Sequence, residues 1–191
     1  MQESKTLNYY DEKTEEFIES TVNVDFQETQ DKFLKLLAPK VHILDFGCGS
    51  GRDTKYFLEQ GYHVDAIDGS GELCKLACAY TGIDVKHMLF QQLDQVNKYD
   101  GIWACSSILH LPYNELEYVM QKMATALKKQ GIIYTSFKYG THEGERNGRY
   151  FIDHNYCYAG VYDSYYERTN GKWRERREKI ILSKSSSGIF E

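Results

Sequence analysis

The stretch Asp45-Phe46-Gly47-Cys48-Gly49-Ser50-Gly51 decides the fold, because of what flanks it on both sides. Residues 41–44 form a short apolar run typical of a buried strand, and residues 52–60 predict a helix that ends at Gly61. Glycines at every second position allow a sharp turn and let another molecule approach the backbone closely. The following helix N-terminus offers unpaired N–H groups and a positive dipole end. The stretch therefore predicts a ligand-binding loop, with a tight turn that binds nothing as the alternative.

A second strand-like run ends in an acidic residue. Residues 62–67 predict this strand, and Asp68 follows it, 19 residues after Gly49. An acid at the tip of the second strand is where a carboxylate holds the two hydroxyls of a ribose. Asp68 could instead serve as a helix N-cap together with Ser70. The first interpretation predicts a cofactor that contains a nucleoside.

The spacing of the glycines narrows the choice of cofactor. A dinucleotide fingerprint that begins at Gly47 needs glycine at position 52, where the chain has Arg52. A phosphate-binding loop needs Gly-Lys-Ser/Thr after four residues, and this sequence is absent. Asp45, placed directly at the strand end, suits a ligand without a pyrophosphate. Such a ligand would carry a cationic amino-acid tail that needs carboxylate and carbonyl acceptors.

Three motifs occur in order at the spacing of one domain, in residues 43–53, 64–70 and 99–107. With them the chain resembles the class I S-adenosylmethionine-dependent methyltransferases from about residue 8 to about residue 151. It is most similar to the small bacterial enzymes of the tellurite-resistance and ubiquinone-biosynthesis type. The resemblance implies an enzyme that passes the methyl group of S-adenosylmethionine to a small-molecule acceptor by in-line displacement. Such a transfer needs alignment and a water-free pocket rather than an acid or base, so the catalytic residue stays unknown.

The resemblance also implies which residues contact the cofactor. Asp45 would bind the ammonium group directly or through water. Arg52 would reach the carboxylate, or lie exposed on the first helical turn. Many relatives have an acid for the adenine amine where this chain has Leu89, so Phe90 would pack on the adenine instead. The implied cofactor-binding residues are Asp45, Gly47, Cys48, Gly49, Ser50, Arg52, Asp68, Gly69, Ser70, Phe90, Gln91 and Ser106.

The segment after the fifth strand is dense in charged and aromatic residues. Lys138, Arg146 and Arg149 place three cations where the substrate enters in the family, which favours an anionic or electron-rich acceptor. The alternative is a plain solvated loop in which Arg149 pairs with Asp153. The residues expected to contact the acceptor are Tyr10, His110, Lys138 and Arg149.

Strands alternate with helices, which predicts a doubly wound, Rossmann-like α/β domain. The resemblance implies a seven-stranded, mostly parallel sheet with an antiparallel C-terminal hairpin. Asn170-Gly171 is a hairpin turn signal between strands of about 161–168 and 173–182. We expect one domain over 1–191, comprising an N-terminal helical lid (1–38), a cofactor-binding core (41–138) and a substrate-side loop with the hairpin (139–184). Predicted helices cover 9–21, 26–38, 52–60, 70–80 and 114–129; predicted strands cover 41–46, 62–67, 83–89, 99–105 and 132–137; residues 141–160 are expected to be mostly loop.

Composition limits the other functions. The net charge is −5, which argues against nucleic acid as the main partner. The Asn/Asp-Pro-Pro-Tyr/Phe signature of base methylation is absent, which argues against DNA. Residues 168–184 carry seven basic and two acidic residues, so an RNA methyltransferase stays an alternative, as does a cofactor-binding protein without turnover. The sequence does not indicate the oligomeric state.

The five cysteines form no C-x-x-C pair, and we expect neither a metal site nor a disulfide. No apolar stretch approaches 18 residues, so no membrane span is expected. A reduced, cytoplasmic protein of bacterial type is the prediction.

Overall fold

A computed structural model describes residues 2–138, 140–153, 157–161, 166–169, 172–175 and 180–183 of the chain. The helices are α1 (Gln2–Glu12), α2 (Thr14–Thr21), α3 (Gln27–Leu34), α4 (Arg52–Glu59), α5 (Gly71–Thr81) and α6 (Tyr113–Ala126). The strands are β1 (His42–Phe46), β2 (His63–Asp68), β3 (Val85–His87), β4 (Tyr99–Ala104), β5 (Leu127–Thr135), β6 (Glu143–Arg146), β7 (Arg149–Ile152), β8 (Cys157–Val161), β9 (Tyr166–Thr169), β10 (Lys172–Glu175) and β11 (Ile180–Ser183). Short 3₁₀ turns lie at Phe90–Gln92 and Ile108–His110.

Five parallel strands form the centre of the fold in the order β5-β4-β1-β2-β3. Ile43 and Leu44 of β1 are fully buried, as expected for a strand covered on both faces. The chain winds outwards from β1 in both directions, so the strand order reverses between β1 and β4. A ligand site is expected at the carboxyl ends of the strands at this reversal. The predicted α/β fold with a parallel central sheet is confirmed.

Aromatic packing fixes one face of the sheet. Trp103 of β4 is fully buried and stacks on Tyr134 of β5 with ring centroids 4.0 Å apart. Phe33 of α3 and Phe57 of α4 pack on the same indole at 5.1 and 5.3 Å. Phe33 also lies so close to Gly101 that a Cβ there would be 2.8 Å from its ring. Helices α3 and α4 are thereby held against the strands whose ends form the ligand site.

The N-terminal helices differ from the prediction. One helix was expected over 9–21, but α1 ends at Glu12 and α2 begins at Thr14. The Thr14 hydroxyl donates back to the carbonyl oxygens of Tyr10 and Asp11 at 2.6 and 3.0 Å, a competing bond that interrupts a helix. Helix α3 is also shorter than expected, because after Leu34 the chain tightens into i→i+3 bonds.

The region expected to be loop contains a hairpin. Strands β6 and β7 pair antiparallel around Asn147-Gly148, whose φ angles are 52° and 77°. Two residues with positive φ are what a type I′ turn requires, and Asn-Gly is its preferred sequence. The predicted loop over 141–160 is therefore wrong for residues 143–152.

The end of α6 also lies earlier than predicted. The helix ends at Ala126 and β5 begins at Leu127, whereas the prediction extended the helix to Lys129. Lys128 consequently lies on the strand and pairs with Asp100 at 2.7 Å.

The predicted C-terminal hairpin is confirmed, with a different pairing. β9 and β10 pair antiparallel on either side of positions 170–171, which lie outside the described residues. The predicted strands 161–168 and 173–182 are not continuous, because β8 and β11 pair separately with each other and β8 pairs with β5. Within the described part of the chain, no helix is both long and apolar enough to span a membrane.

Candidate cofactor and substrate site

A cavity of about 450 Å³ opens at the carboxyl ends of β1, β2 and β4. Its walls come from the glycine loop, the tip of β2, the loop after β4, helix α1 and strand β7. Three of the predicted site residues, Asp45, Ser70 and Gln91, are not among the described residues that line it. The predicted residues that do line it are Gly47, Cys48, Gly49, Ser50, Arg52, Asp68, Gly69, Phe90, Ser106, Tyr10, His110, Lys138 and Arg149.

The glycine loop is pinned to the end of β2. The N–H groups of Gly47 and Cys48 donate to the carbonyl oxygen of Ile67 at 3.0 and 2.9 Å. Gly47 and Gly49 have φ angles of 85° and 56°, a region that favours glycine. A Cβ on Gly47 would lie 2.4 Å from the Cβ of Ser107, and a Cβ on Gly49 would lie 3.1 Å from the ring of Phe17. The loop thus needs glycine both for its backbone and for the space above it.

Asp68 lies at the point where the loop meets β2. Its carboxylate accepts the N–H groups of Gly49 and Ser70, both at 2.9 Å. Burial raises its pKa, and the hydrogen bonds from the backbone oppose that shift. The N-cap of α5 is Ser70, whose hydroxyl oxygen accepts the N–H of Leu73 at 3.1 Å. Two carboxylate oxygens offer about four acceptor positions, so Asp68 keeps acceptor capacity towards the cavity that it lines.

Asp45 lies beneath the loop rather than in the cavity. It is 1% exposed, and its carboxyl group accepts the hydroxyl of Thr54 at 2.5 Å. Burial, reinforced by the nearby Asp53 carboxylate, raises its pKa. The prediction of a direct contact with the ligand is therefore corrected, because the side chain of Asp45 points into the protein interior.

Arg52 is tied to its neighbour in sequence. Its guanidinium donates to both carboxylate oxygens of Asp53, at 2.8 and 3.0 Å, and stacks over Phe26 at 4.9 Å. Asp53 also accepts the indole N–H of Trp103 at 2.8 Å and the amide of Gln30 at 2.6 Å. The Arg52 side chain is 20% exposed, so the alternative of an exposed residue is wrong. Asp53 was not among the predicted site residues, although an acid in the first turn of a helix after a glycine loop is a recognisable signal.

Phe90 and Gln91 point in different directions from the 3₁₀ turn. Phe90 lines the cavity and packs on Phe46 with centroids 4.6 Å apart. Gln91 turns away towards α6, where its amide donates to Glu115 at 2.6 Å. The prediction of cofactor contact for Gln91 is corrected for that reason.

Ser106 has an unusual backbone at the end of β4. Its φ angle is 52°, and its N–H donates to the hydroxyl of Ser136 at 2.8 Å. The adjacent Ser107 donates to the carbonyl oxygen of Phe46 at 2.6 Å. A non-glycine residue in this region costs of the order of 1–3 kcal/mol and is found at functional sites when its surroundings hold it in place. Ser106 thus joins the loop after β4 to the residue that follows β5, and Ser107 joins it to the end of β1.

The residues expected to contact the acceptor form one hydrogen-bonded chain. Nδ1 of His110 lies 2.6 Å from the carbonyl oxygen of Tyr150, which can only accept, so Nδ1 carries the proton. Nε2 then accepts the hydroxyl of Tyr10 at 2.8 Å, and that hydroxyl oxygen accepts a hydrogen bond from Arg149 at 3.1 Å. Burial, with a smaller contribution from the nearby cations Arg149 and Lys138, lowers the pKa of His110 to about 4, although the hydrogen bond to Tyr150 opposes the shift. His110 is consequently a neutral, fixed acceptor at physiological pH.

The low pKa of His110 predicts a pH dependence of stability. The imidazole titrates near 6.5 when unfolded and near 4 when folded, so the unfolded chain binds more protons between these values. This contribution is complete above pH 6.5 and is lost as the pH falls towards 4. We expect the free energy of unfolding to fall by about 2 kcal/mol more between pH 7 and 4.5 in the parent protein than in His110→Gln. Urea unfolding at both pH values measures this, and equal losses in the two proteins would contradict it.

Helix α1 covers the side of the cavity formed by β7 and α5. The hydroxyl of Thr6 accepts the N–H of Tyr150 at 3.0 Å, and the carboxylate of Asp11 accepts the hydroxyl of Ser70 at 2.5 Å. Thr6 and Leu7 of α1 line the cavity, and neither was among the predicted site residues. No local pattern distinguishes them, because their partners lie more than 60 residues away in the chain.

The central part of the chain is similar to a known protein family. Residues 43–131 match the family model for the methyltransferase domain. The match runs from β1 into β5 and includes the glycine loop and Asp68. The match indicates S-adenosylmethionine as the cofactor. No curated protein sequence matches the chain significantly.

Solved structures share the fold at low sequence identity. The 1,6-didemethyltoxoflavin-N1-methyltransferase of Burkholderia thailandensis, solved with S-adenosylhomocysteine, has a TM-score of 0.63 and 21% identity over 78% of this chain and 68% of its own. The N-methyltransferase NodS of Bradyrhizobium japonicum, also solved with S-adenosylhomocysteine, has a TM-score of 0.57 and 15% identity over 68% of this chain and 73% of its own. The [4+2]-cyclase SpnF has a TM-score of 0.60 and 18% identity over 76% of this chain and 65% of its own. Of one further solved neighbour, the chain covers only 46% of the length. The sequence identities are all below 25%, so these likenesses establish the fold alone.

Proposed function

We propose that the chain is an S-adenosylmethionine-dependent methyltransferase that acts on a small-molecule acceptor by in-line displacement. The observation that carries the proposal is the glycine loop held over the cavity by Asp68, within residues that match the methyltransferase domain. The fold alone does not decide the reaction, since the SpnF neighbour is a cyclase. The neighbours NodS and the 1,6-didemethyltoxoflavin enzyme are both methyltransferases. The second was solved with a small molecule, 1,6-didemethyltoxoflavin, bound to it, which supports a small-molecule acceptor.

The residues of the cavity fit the proposed cofactor. The free acceptor positions of Asp68 suit the two ribose hydroxyls, and the close backbone at Gly49 suits the approach of the ligand. The ring of Phe90 offers an apolar surface for the adenine. Arg52 uses two of its donors on Asp53 and has three more for the carboxylate of the cofactor. Asp45 would act on the ammonium group only through water, and Ser70 would act by capping α5 beside Asp68.

For this reaction the chain must align the acceptor with the cofactor and exclude water. The cofactor supplies the activated methyl group when bound. The protein must then hold the acceptor atom about 3 Å from the methyl carbon and in line with the bond that breaks. Tyr10 and His110 would fix the acceptor, with the neutral imidazole holding the Tyr10 hydroxyl in one orientation. Helix α1 would close this side against water.

We further propose that the chain belongs to the branch of the tellurite-resistance and ubiquinone-biosynthesis enzymes and that it is cytoplasmic. We also propose its division into an N-terminal lid, a cofactor-binding core and a substrate-side segment, on the basis of the sequence. We infer that β8 and β11 complete a seven-stranded sheet, which their pairing beside β5 supports. The RNA alternative depends on side chains of residues 168–184, which lie outside the described side chains.

Release of S-adenosylhomocysteine tests the proposal. Purified protein is incubated with S-adenosylmethionine and each member of a panel of small metabolites, and the product is quantified by mass spectrometry. We expect acceptor-dependent release in the parent protein and at least a tenfold lower rate in Asp68→Asn at limiting cofactor. Binding of S-adenosylmethionine with no release for any acceptor, RNA included, would favour a cofactor-binding protein without turnover.

A further inference from the structure

Two cations line the cavity without a salt bridge to an acid among the described residues. Lys138 follows β5, and Arg149 begins β7. Lys138 Nζ lies 4.2 Å from the ring centroid of Phe151, and the Arg149 guanidinium lies 5.0 Å from the same centroid. Two like charges held around one ring repel each other, more strongly where the surroundings exclude water. This arrangement favours an anion bound between the two cations.

The acids nearest in sequence are engaged elsewhere. Asp153 pairs with Arg146 at 2.9 Å, so the expected surface pair between Asp153 and Arg149 is wrong. Glu145 pairs with Lys5 at 2.7 Å. Glu143 accepts the phenol of Tyr150 at 2.6 Å. None of these three acids forms a salt bridge with Lys138 or Arg149, although Asp153 lies near enough to favour the charged form of Lys138.

Arg149 is held rigidly and still has an unused donor. Its guanidinium lies over the rings of Tyr9, Tyr10 and Phe151, at 4.5, 5.4 and 5.0 Å. One N–H donates to the Tyr10 hydroxyl, while Nε is buried and has no hydrogen-bond partner. A buried donor without a partner costs about 1–3 kcal/mol, more when it is charged. A preorganised guanidinium of this kind is suited to bind a carboxylate or phosphate through two donors at once.

The neighbouring positive charges also affect the protonation of Lys138. Burial lowers the pKa of Lys138, the charges of Arg146 and Arg149 lower it further, and the Asp153 carboxylate only partly opposes this shift. His110 adds no charge, because its imidazole is neutral at physiological pH. An anion placed between Lys138 and Arg149 would relieve this repulsion.

We propose that the methyl acceptor carries an anionic oxygen group, bound by Lys138 and Arg149 beside the hydroxyl of Tyr10. The inference rests on the proposed function and names the class of acceptor. The cofactor's own carboxylate is the competing anion. Arg52 is better placed for it, because Arg52 lies on the first turn of α4 beside the glycine loop, whereas Arg149 lies on β7. Carboxylate and phosphate share this chemistry, so the experiment separates them.

The test titrates protein saturated with S-adenosylhomocysteine with three probes, followed by calorimetry. Benzoate and phenyl phosphate carry the two anionic groups, and benzamide is a neutral mimic of benzoate. We expect benzoate or phenyl phosphate to bind at least ~10-fold more tightly than benzamide, about 1.4 kcal/mol. The tighter of the two anions identifies the group.

Variants then locate the site. Arg149→Gln and Lys138→Gln are each expected to weaken the preferred anion at least ~10-fold, with Arg149→Lys losing less than Arg149→Gln. Lys128→Gln is the control for net charge, because Lys128 pairs with Asp100 and is outside the cavity lining. It should leave anion affinity unchanged. The affinity for S-adenosylhomocysteine should change less than about threefold in all four variants.

Two results would overturn the inference: equal or undetectable binding of all three probes, or a loss of S-adenosylhomocysteine affinity in Arg149→Gln. The second would place Arg149 on the carboxylate of the cofactor. If the parent protein bound no S-adenosylhomocysteine, the proposed function would fail instead, and the same titration without it would still decide the anion site.

Discussion

Gly49→Val is expected to abolish binding of S-adenosylhomocysteine while the protein stays folded. Gly49 has a φ of 56°, and an added Cβ would lie 3.1 Å from the ring of Phe17, which lines the cavity. The larger valine side chain must displace that ring or project into the space of the ligand. Its branched Cβ also disfavours the left-handed backbone, at a cost of about 1–2 kcal/mol. Calorimetric titration with S-adenosylhomocysteine, together with circular dichroism, measures binding and fold separately.

Gly61→Val is the matched control for backbone strain. Gly61 has a φ of 85°, and a Cβ there would meet no atom within 4 Å. This variant should lose similar stability but keep its affinity for S-adenosylhomocysteine. Intact affinity in Gly49→Val would mean that the loop is only a tight turn.

Asp68→Asn is expected to weaken S-adenosylhomocysteine binding about 100-fold. Hydrogen bonds to a charged group contribute about 1.5–3 kcal/mol each, and the ribose would make two of them. The amide loses the charge and one acceptor, and it must also satisfy the N–H groups of Gly49 and Ser70 that Asp68 now accepts. A loss of about 2.7 kcal/mol corresponds to the expected change in Kd.

The control for Asp68 lies on the same strand. Asp65 also accepts hydrogen bonds, from Lys98 and Tyr99 at 2.5 and 2.9 Å, but it does not line the cavity among the described residues. Asp65→Asn should therefore change stability and leave S-adenosylhomocysteine affinity as it was. Equal affinities in the two variants would remove Asp68 from the cofactor site.

The central sheet could be predicted because its signals are local. Strand β1 contains the buried apolar residues Ile43, Leu44 and Phe46, and the glycine loop and Gly61 mark both ends of α4. The β6–β7 hairpin was missed for the opposite reason. Strand β6 is charged, and β7 has three consecutive buried residues rather than an apolar alternation, so the Asn147-Gly148 turn signal stood alone. Here cross-strand pairing and packing against α1 override a weak local preference.

The candidate site was predictable only in part. The residues of the glycine loop and Asp68 have a recognisable spacing, and they line the cavity. The bond between Tyr10 and His110 joins residues 100 positions apart, which no local pattern reveals. The competition between Arg146 and Arg149 for Asp153 likewise depends on the register of the hairpin. The inward direction of the Asp45 side chain was also not predictable from a local pattern, because its surroundings are Thr54 and the loop above it.

Calorimetric titration of the parent protein with S-adenosylhomocysteine and, separately, with NAD tests the central claim most directly. Both ligands contain an adenosine, but only NAD carries a pyrophosphate. The fingerprint of loops that bind this pyrophosphate needs glycine at position 52, where the chain has Arg52. We expect saturable one-to-one binding of S-adenosylhomocysteine and at least 100-fold weaker binding of NAD. Equal affinities for the two ligands, or no binding of S-adenosylhomocysteine, would contradict it.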